Sequence, residues 1–410
     1  MDAPTLGARK GVAVRVSDVV IVGGGLSGTL AAVLLGRAGH PVTLVDRHRE
    51  YPPEFRAEQL VGSQTDALRR LGVFEALVAG VPRIDHAIAA RRGRVIERVH
   101  VPHYGLTYQA MVGAARAQLP ASVELVVAQV VDIETSPVRQ RVRLSDGAAI
   151  DGRVVVLATG LADGLCRKLG ITRRVVRDDH SLAIGLDIVA GSGVAGGESV
   201  LVQYGETIRD HIDYISVFPL GPVLRANLFA YRDIHEPWTR SFRQQPREAL
   251  CHAMPELRRL LGEFRVSGKA QIRASHLRAA ESYRRDGLVL IGDAFQTSCP
   301  AAGTGIGRLL TDVERLCNEH LPRWLAAGDA SARRIAQFYD DPVKRACDAE
   351  AVRIAEYRRS ITTDASLSWR LHRAGAHAWR VTRGRVVHAR WNRRGTDTPA
   401  PALDTASVSA

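Results

Sequence analysis

The chain has 410 residues, 46% of them hydrophobic, which is enough for a large core shared by two or three domains, and no run of eighteen apolar residues that could span a membrane. Net charge is +13, and all but four of the 56 basic residues are arginine, yet aromatics make up only 5%. Nucleic-acid binding, which needs a clustered basic face with interleaved aromatics, is therefore not expected. The five cysteines show no C-x-x-C pairing, which argues against a disulfide framework or a metal site and for a reducing, cytoplasmic compartment.

Residues 1–16 carry no periodic pattern and no apolar signal core, and read as a disordered arm. The rest of the chain is organised around Asp18 to Asp46. Val19–Val22 is a β-branched run suited to a buried parallel strand, and Gly23, Gly25 and Gly28 come next at G-x-G-x-x-G spacing. A helix runs on from Ser27, and a second strand, Val42–Val45, ends on Asp46. The first glycine allows a tight turn, the second lets a pyrophosphate approach the backbone, and the third packs helix on strand. Free N–H groups at the helix start attract phosphate, and Asp46 stands where a carboxylate accepts hydrogen bonds from a ribose. These pieces in register predict dinucleotide binding.

A polar loop, Arg47–Arg56, holds Pro52-Pro53, and from Ala57 a helical pattern runs through Leu60, Leu68, Leu71 and Leu77, interrupted near Gly62 and Gly72. Strands are expected at Ala87–Ala90 and Val95–Val101, a helix at Tyr108–Leu119, and strands at Val123–Val131, Val138–Leu144 and Ala148–Val156. The last pair is joined by a Ser145-Asp146-Gly147 hairpin turn. The Val154–Gly160 stretch, VVVLATG, ends in small residues that let the chain pass close beside a ligand. From Val175 to about Ile272 the texture changes to an antiparallel sheet, with segments Leu182–Val189, Ser199–Tyr204, His211–Phe218 and Val223–Tyr231. Alternation puts Tyr214 and Ser216 on one face and His211 and Asp213 on the other. An arginine-rich helical insert opens at Glu236-Pro237 and runs to about Phe264.

The stretch Gly287–Leu316 reads as a buried strand, Leu288–Ile291, delivering Gly292-Asp293, then a Pro-Ala-Ala-Gly-Thr-Gly turn feeding a helix near Gly305. A glycine-rich helix start presents bare N–H groups to electron-rich ligand atoms. Asp341-Pro342 marks a helix start, with Val343, Cys347, Ala351, Ile354, Tyr357 and Ile361 on one stripe. A second stripe, Leu367, Leu371, Ala374, Ala378 and Val381, lies in a segment with eight arginines and no acid between 365 and 394. It reads as a helix covering the nucleotide-binding lobe, or as an interfacial helix making peripheral contact with an anionic membrane. Residues 396–410 read as disordered.

Three of these stretches, in this order, resemble the flavoprotein aromatic hydroxylases of the p-hydroxybenzoate hydroxylase type over about residues 18–320. The matches are Gly23, Gly25 and Gly28, then Asp163-Gly164 after VVVLATG, then Gly292-Asp293, Pro300, Gly303, Gly305 and Asp312. The resemblance implies an α/β fold. A discontinuous Rossmann-like FAD-binding domain of the glutathione reductase type (17–82, 103–174, 276–330) carries an antiparallel substrate domain (83–102, 175–275), with a helical region at 331–395. It implies FAD held by Gly23, Gly25, Leu26, Ser27, Gly28, Asp46, Arg47, Arg56, Asp163, Gly292, Asp293, Pro300, Gly303, Thr304, Gly305 and Ile306, with Tyr108 or Gln109 as a further polar contact. The reaction implied uses NADH or NADPH and O2, through a flavin C4a-hydroperoxide, to hydroxylate an aromatic or polyketide-like small molecule. Pro300 would sit over the reactive ring face, and Tyr214, Ser216 and Arg225 are candidates for substrate contact, Arg225 toward a carboxylate.

The chain departs from that family in reading Gly292-Asp293-Ala294-Phe295-Gln296 where G-D-A-A-H is usual. It also carries Gly307 in place of an asparagine and a shortened Asp163–Leu169 segment. Tyr214-Ile215-Ser216-Val217-Phe218-Pro219 is similar to the Y-x-W-x-F-P signature of geranylgeranyl reductases, so reduction of a prenyl or polyene chain is an alternative. A flavin-binding scaffold without turnover is another. The W-x-W-x-I-P signature of tryptophan halogenases is absent.

Overall fold

The computed structural model describes residues 15–190, 199–376, 378, 379 and 382. Nearly all of the arm at 1–16, the tail at 396–410 and part of the second arginine-rich stripe lie outside the described residues.

Two sheets organise the chain. In the first, Arg15–Val22 lies between Val42–Asp46 and Ala149–Leu157, parallel to both, and Val123–Val127 extends the edge beyond Val42–Asp46. The far side of Ala149–Leu157 is shared: its first half pairs antiparallel with Gln140–Leu144, which carries Val130–Glu134, and its second half pairs parallel with Leu288–Leu290. A parallel strand covered on both faces must be apolar throughout. Accordingly, Val19 and Ile21 enter one core cluster and Val20 and Val22 another. The helix Leu26–Arg37 is buried nearly all round, with Leu26, Leu30, Ala31, Ala32, Val33 and Leu35 at 0% exposure, as expected of a helix between a sheet and further helices.

The second sheet has the order Phe264–Glu281, Thr172–Ala190, Val223–Ala230, Ile212–Leu220, Ser199–Tyr204, Arg83–Arg91, Arg94–Gly105, Gln59–Val61. All neighbours are antiparallel except Ser199–Tyr204 with Arg83–Arg91. Its two faces have different fates. Ile184, Leu201, Ile215, Val217 and Leu228 pack against Phe242, Leu250, Leu257 and Leu261 of the helical insert, each such side chain contributing about 2 kcal/mol. The alternate residues on these strands face the other way, into a long cleft.

Three local expectations change. Leu60 lies on a short strand, Gln59–Val61, paired with His103–Gly105, so the helix begins only at Gly62. The expected strand Val123–Val131 is two, Val123–Val127 and Val130–Glu134, because its halves pair on opposite edges of the first sheet. Thr172–Ala190 starts well before Leu182, through a register shift between Arg177 and Ser181.

The helix Pro342–Thr363 starts at its expected cap, Asp341 accepting from the N–H groups of Val343 (2.9 Å) and Lys344 (3.1 Å). It crosses both Gly305–Arg315 and the Pro300–Ala302 turn, and so bridges the two sheets. Beyond it, Leu367 and Leu371 are 67% and 66% exposed, so that stripe is not buried against the lobe it was expected to cover. No helix among the described residues is long and apolar enough to cross a membrane.

Candidate active site

At the end of the first strand Gly23 adopts φ +106°, and a Cβ there would lie 2.5 Å from the Ala158 carbonyl oxygen. Gly28 is tighter, since its Cβ would lie 1.9 Å from the Gly23 carbonyl oxygen. Glycine is thus required by contact at both positions. The Gly24 N–H donates to Asp46 Oδ2 (2.7 Å), which fixes the carboxylate at the mouth of the turn. Arg116, 92 residues further on, donates to Gly24 O (2.7 Å) and to the carbonyls of His48 (2.8 Å) and Arg49 (2.6 Å), tying turn and loop together.

The Tyr108 hydroxyl accepts from Leu26 N–H (3.2 Å), at the free start of the first helix. Tyr108 lines the cleft, whereas Gln109 is exposed and does not. Tyr51 stacks edge-on against Tyr108 at 5.4 Å and donates to Glu54 (2.8 Å). Burial pushes both phenols up, so both stay protonated. Arg56 lies between Glu54 (2.7 Å) and Asp293 (3.1 Å); burial opposes its charge, but Asp293 and Glu54 outweigh it and hold the guanidinium charged.

Beneath the Gly292-Asp293 turn lies a buried polar network. The Gly292 N–H donates to Asp312 Oδ2 (2.8 Å), and fully buried Lys344 donates to Asp312 Oδ1 (2.6 Å) and Asp348 (3.1 Å). Asp348 also accepts from Arg308 (2.9 Å), which reaches Gln296 O (2.7 Å) and Ser298 (2.9 Å). Lys344 Nζ sits 4.2 Å from the ring centroid of Phe295. The unusual phenylalanine at 295 therefore has a packing role as one face of the lysine's pocket. Sequence reasoning missed Lys344, Arg308 and Arg116; the one hint was that Lys344 is among only four lysines.

One cleft of about 1330 Å³ joins these parts, larger than the roughly 300–1,000 Å³ of a pocket for one drug-sized ligand. Gly23, Gly25, Leu26, Ser27, Asp46, Arg47 and Arg56 line one end, and Asp293, Pro300, Gly303, Thr304, Gly305 and Ile306 its middle. Gly28 and Gly292 lie behind the lining, positioning it: a Cβ on Gly292 would approach Ser27 Oγ to 2.6 Å. Asp163 also lies behind it, paired with Arg173 (2.6 Å), which holds Gly160 O (2.8 Å). The far end is the open face of the second sheet, where His103, Val200, Val202, Tyr214, Ser216, Asn227 and Phe229 converge. Cys347, Ala351, Ile354 and Arg358 of the long C-terminal helix close it.

Tyr214 and Ser216 thus face the cleft, and the Tyr214 hydroxyl donates to Ala301 O (3.1 Å), next to Pro300. Asp213 is not in the lining but bonds Arg358, which is, at a register shift between Ile212 and Tyr214, and His211 lies outside the strand. Arg225, the expected carboxylate partner, is not in the lining. It pairs with Glu58 (3.4 Å) and Asp187 (3.3 Å) and donates to Gln271 (3.0 Å), because Glu58, only 5% exposed, needs a counter-charge there. Cys299 is buried 3.4 Å from Ser181 Oγ, and burial raises its thiol, which makes it an inert filler.

A strand, a glycine turn against a helix start, an acid on the next strand and a long cleft leading to a second sheet are the features expected of a dinucleotide-binding fold. Residues 16–143 match the family described as the FAD binding domain. The chain is 23% identical over 330 residues to 6-methylpretetramide 4-monooxygenase of Streptomyces rimosus, covering 72% of this chain and 73% of that protein. Its fold is similar to that of p-nitrophenol 4-monooxygenase PnpA of Pseudomonas putida DLL-E4, with TM-score 0.73 and 20% identity over 91% of this chain and 95% of that one. It is also similar to the halogenase PltM, solved with phloroglucinol and FAD, with TM-score 0.68 and 14% identity over 85% and 77% of the two chains.

Proposed function

We propose that the protein is an FAD-dependent monooxygenase that hydroxylates an aromatic or polyketide-like small molecule with NADH or NADPH and O2. The observation that carries this reading is the single cleft running from the Gly23 turn, past Asp293 and the Pro300–Gly307 turn, onto the mixed apolar and polar face of the second sheet. The cradle fits FAD: the glycine turn approaches to backbone contact, Asp46 is oriented by Gly24, and Arg47 and Arg56 line the same end of the cleft. The names of the relatives, two of which are monooxygenases of aromatic compounds, support the same reading.

Bound FAD would supply reduction by the pyridine nucleotide and activation of O2. The chain's own residues would bind and orient. Asp46 would take the ribose hydroxyls, and the Ser27 N–H the pyrophosphate. The Gly303–Gly307 helix start would favour negative charge on the reduced ring. Pro300, rigid and lacking an N–H, would wall the reacting face, while the long C-terminal helix excludes water from the far end. Incorporation of one atom of oxygen-18 from O2 into product, across a panel of phenols and polyketide aromatics, tests the proposal. Turnover without oxygen incorporation, under anaerobic conditions with a prenyl or polyene substrate, would establish the reductase instead. Protein that binds FAD but never accelerates NAD(P)H oxidation with any substrate would be a scaffold.

A further inference from the structure

The far end of the cleft has an unusual hydrogen-bonding balance. His103 lines it, and His103 Nδ1 lies 2.6 Å from the carbonyl oxygen of Val101 on the same strand. A carbonyl only accepts, so Nδ1 carries the proton and Nε2 is an acceptor. Nε2 has no protein partner among the described residues. Burial lowers the imidazole's proton affinity and the Val101 carbonyl partly opposes this, with no charged neighbour contributing, so the ring is neutral.

A second acceptor stands on the same sheet face. Asn227 is 7% exposed, and its Nδ2 donates to Glu58 Oε2 (3.1 Å), which orients the amide. Its Oδ1 is buried and has no hydrogen-bond partner, a desolvation cost that a donating ligand would relieve.

Charge in this part of the cleft is already neutralised. Arg273, Arg278, Arg308 and Arg358 line it, and each faces a carboxylate, Glu54 (3.4 Å), Asp178 (3.3 Å), Asp348 (2.8 Å) and Asp213 (2.7 Å) respectively. An anionic substrate would meet no unmatched cation, whereas hydroxyl protons would meet two waiting acceptors.

We propose that His103 Nε2 and Asn227 Oδ1 are substrate-binding acceptors for the hydroxyl protons of an uncharged, polyhydroxylated aromatic. This inference rests on the hydroxylase reading and narrows its substrate class. No covalent step is involved: each substrate O–H keeps its proton and donates a hydrogen bond. His103 also polarises the phenol toward phenolate, which enriches the ring carbons that hydroxylation attacks.

The test uses the FAD-loaded protein and follows perturbation of the visible flavin spectrum, so it needs neither NAD(P)H nor turnover. The probes are resorcinol, 1,3-dimethoxybenzene and 3,5-dihydroxybenzoate, with 2-naphthol and 2-methoxynaphthalene as a larger pair. We expect at least one phenol to bind ten-fold or more tightly than its methyl ether, and resorcinol more tightly than the benzoate. His103→Phe and Asn227→Leu should each lower the preference for phenol over ether by about ten-fold, while His103→Gln, which keeps an acceptor, should retain most of it. If His103→Phe does not retain flavin, His103→Gln and Asn227→Leu decide. The proposal is overturned if no phenol out-binds its ether, if the benzoate binds as well as resorcinol, or if flavin-loaded variants keep the wild-type preference. Intact phenol discrimination without oxygen incorporation would sink the hydroxylase reading and leave the recognition standing.

Discussion

Arg358 and Asp213, 145 residues apart, form a doubly bonded ion pair, Nη2–Oδ1 at 2.7 Å and Nε–Oδ2 at 2.9 Å, with only 4% of either side chain exposed. Asp213 also accepts from the Tyr231 hydroxyl (3.2 Å), and the guanidinium lies 4.8 Å from the ring centroid of Tyr214. The pair joins the long C-terminal helix to the second sheet at the point where both close the cleft. Burial alone would push the Asp213 carboxyl up and Arg358 down; the attraction between them opposes both tendencies.

Asp213→Ala should therefore destabilise the protein by about 3–5 kcal/mol, because it strands a buried guanidinium. The double variant Asp213→Leu with Arg358→Met should recover much of that loss, since neither charge then needs a partner. Urea denaturation of both variants beside the parent protein reads the difference, and equal losses in the single and double variants would rule the explanation out.

Lys344 controls the Gly292 turn at one remove. Lys344→Met leaves buried Asp312 without its cation and Asp348 with Arg308 alone, and a loss of about 3 kcal/mol is expected. Asp312 would then hold the Gly292 N–H less firmly, so affinity for FAD should fall as well. A titration of apoprotein with FAD checks this, and Lys344→Met combined with Asp312→Asn should regain part of the stability.

Gly28→Ala and Gly113→Ala form a matched pair. The first places a methyl group 1.9 Å from the Gly23 carbonyl oxygen and should yield a protein that does not retain FAD. The second lies on the exposed side of Tyr108–Arg116, where a Cβ meets nothing within 4 Å. It should stabilise the fold by about 0.4–1 kcal/mol through reduced unfolded-state entropy. Visible absorbance and thermal melting separate the two outcomes.

His180 is fully buried, and neither ring nitrogen has a hydrogen-bond partner. Burial lowers its pKa from 6.5 to about 4, Glu356 opposing and Arg359 and Arg177 reinforcing the effect. The folded protein thus holds a neutral ring where the unfolded chain binds a proton. Stability is complete above the ordinary histidine pKa and is lost as pH falls from 6.5 toward about 4. We expect a decline of roughly 2 kcal/mol across that window, allowing for solvent screening. His180→Phe should flatten this part of the profile, as measured by urea midpoints at a series of pH values.

The parts of the site legible in the sequence are those whose requirement is local. Gly23 and Gly28 must be glycine because neighbouring backbone leaves no room, Val19–Val22 must be apolar because both faces of the strand are covered, and Asp341 must cap because the helix start has free N–H groups. Each shows as spacing or composition within a few residues. Even the shared face of Tyr214 and Ser216 follows from strand geometry alone.

The errors fall where distant segments meet. Leu60 is apolar in a helix and in a strand alike, and only its pairing with Tyr104 makes it a strand residue. Arg225 carries the right chemistry for a carboxylate, but the carboxylates it meets are Glu58 and Asp187 of its own chain. The amino-acid sequence by itself determined the nucleotide-binding turn, the parallel strands and the class of cofactor, because backbone sterics and hydrophobic period act over a few residues. Tertiary structure alone decided which charges are spent on one another, and hence that His103 and Asn227 are left open to a ligand. Such pairings depend on where the chain returns after 145 or 169 residues, and a residue's type does not encode its partner.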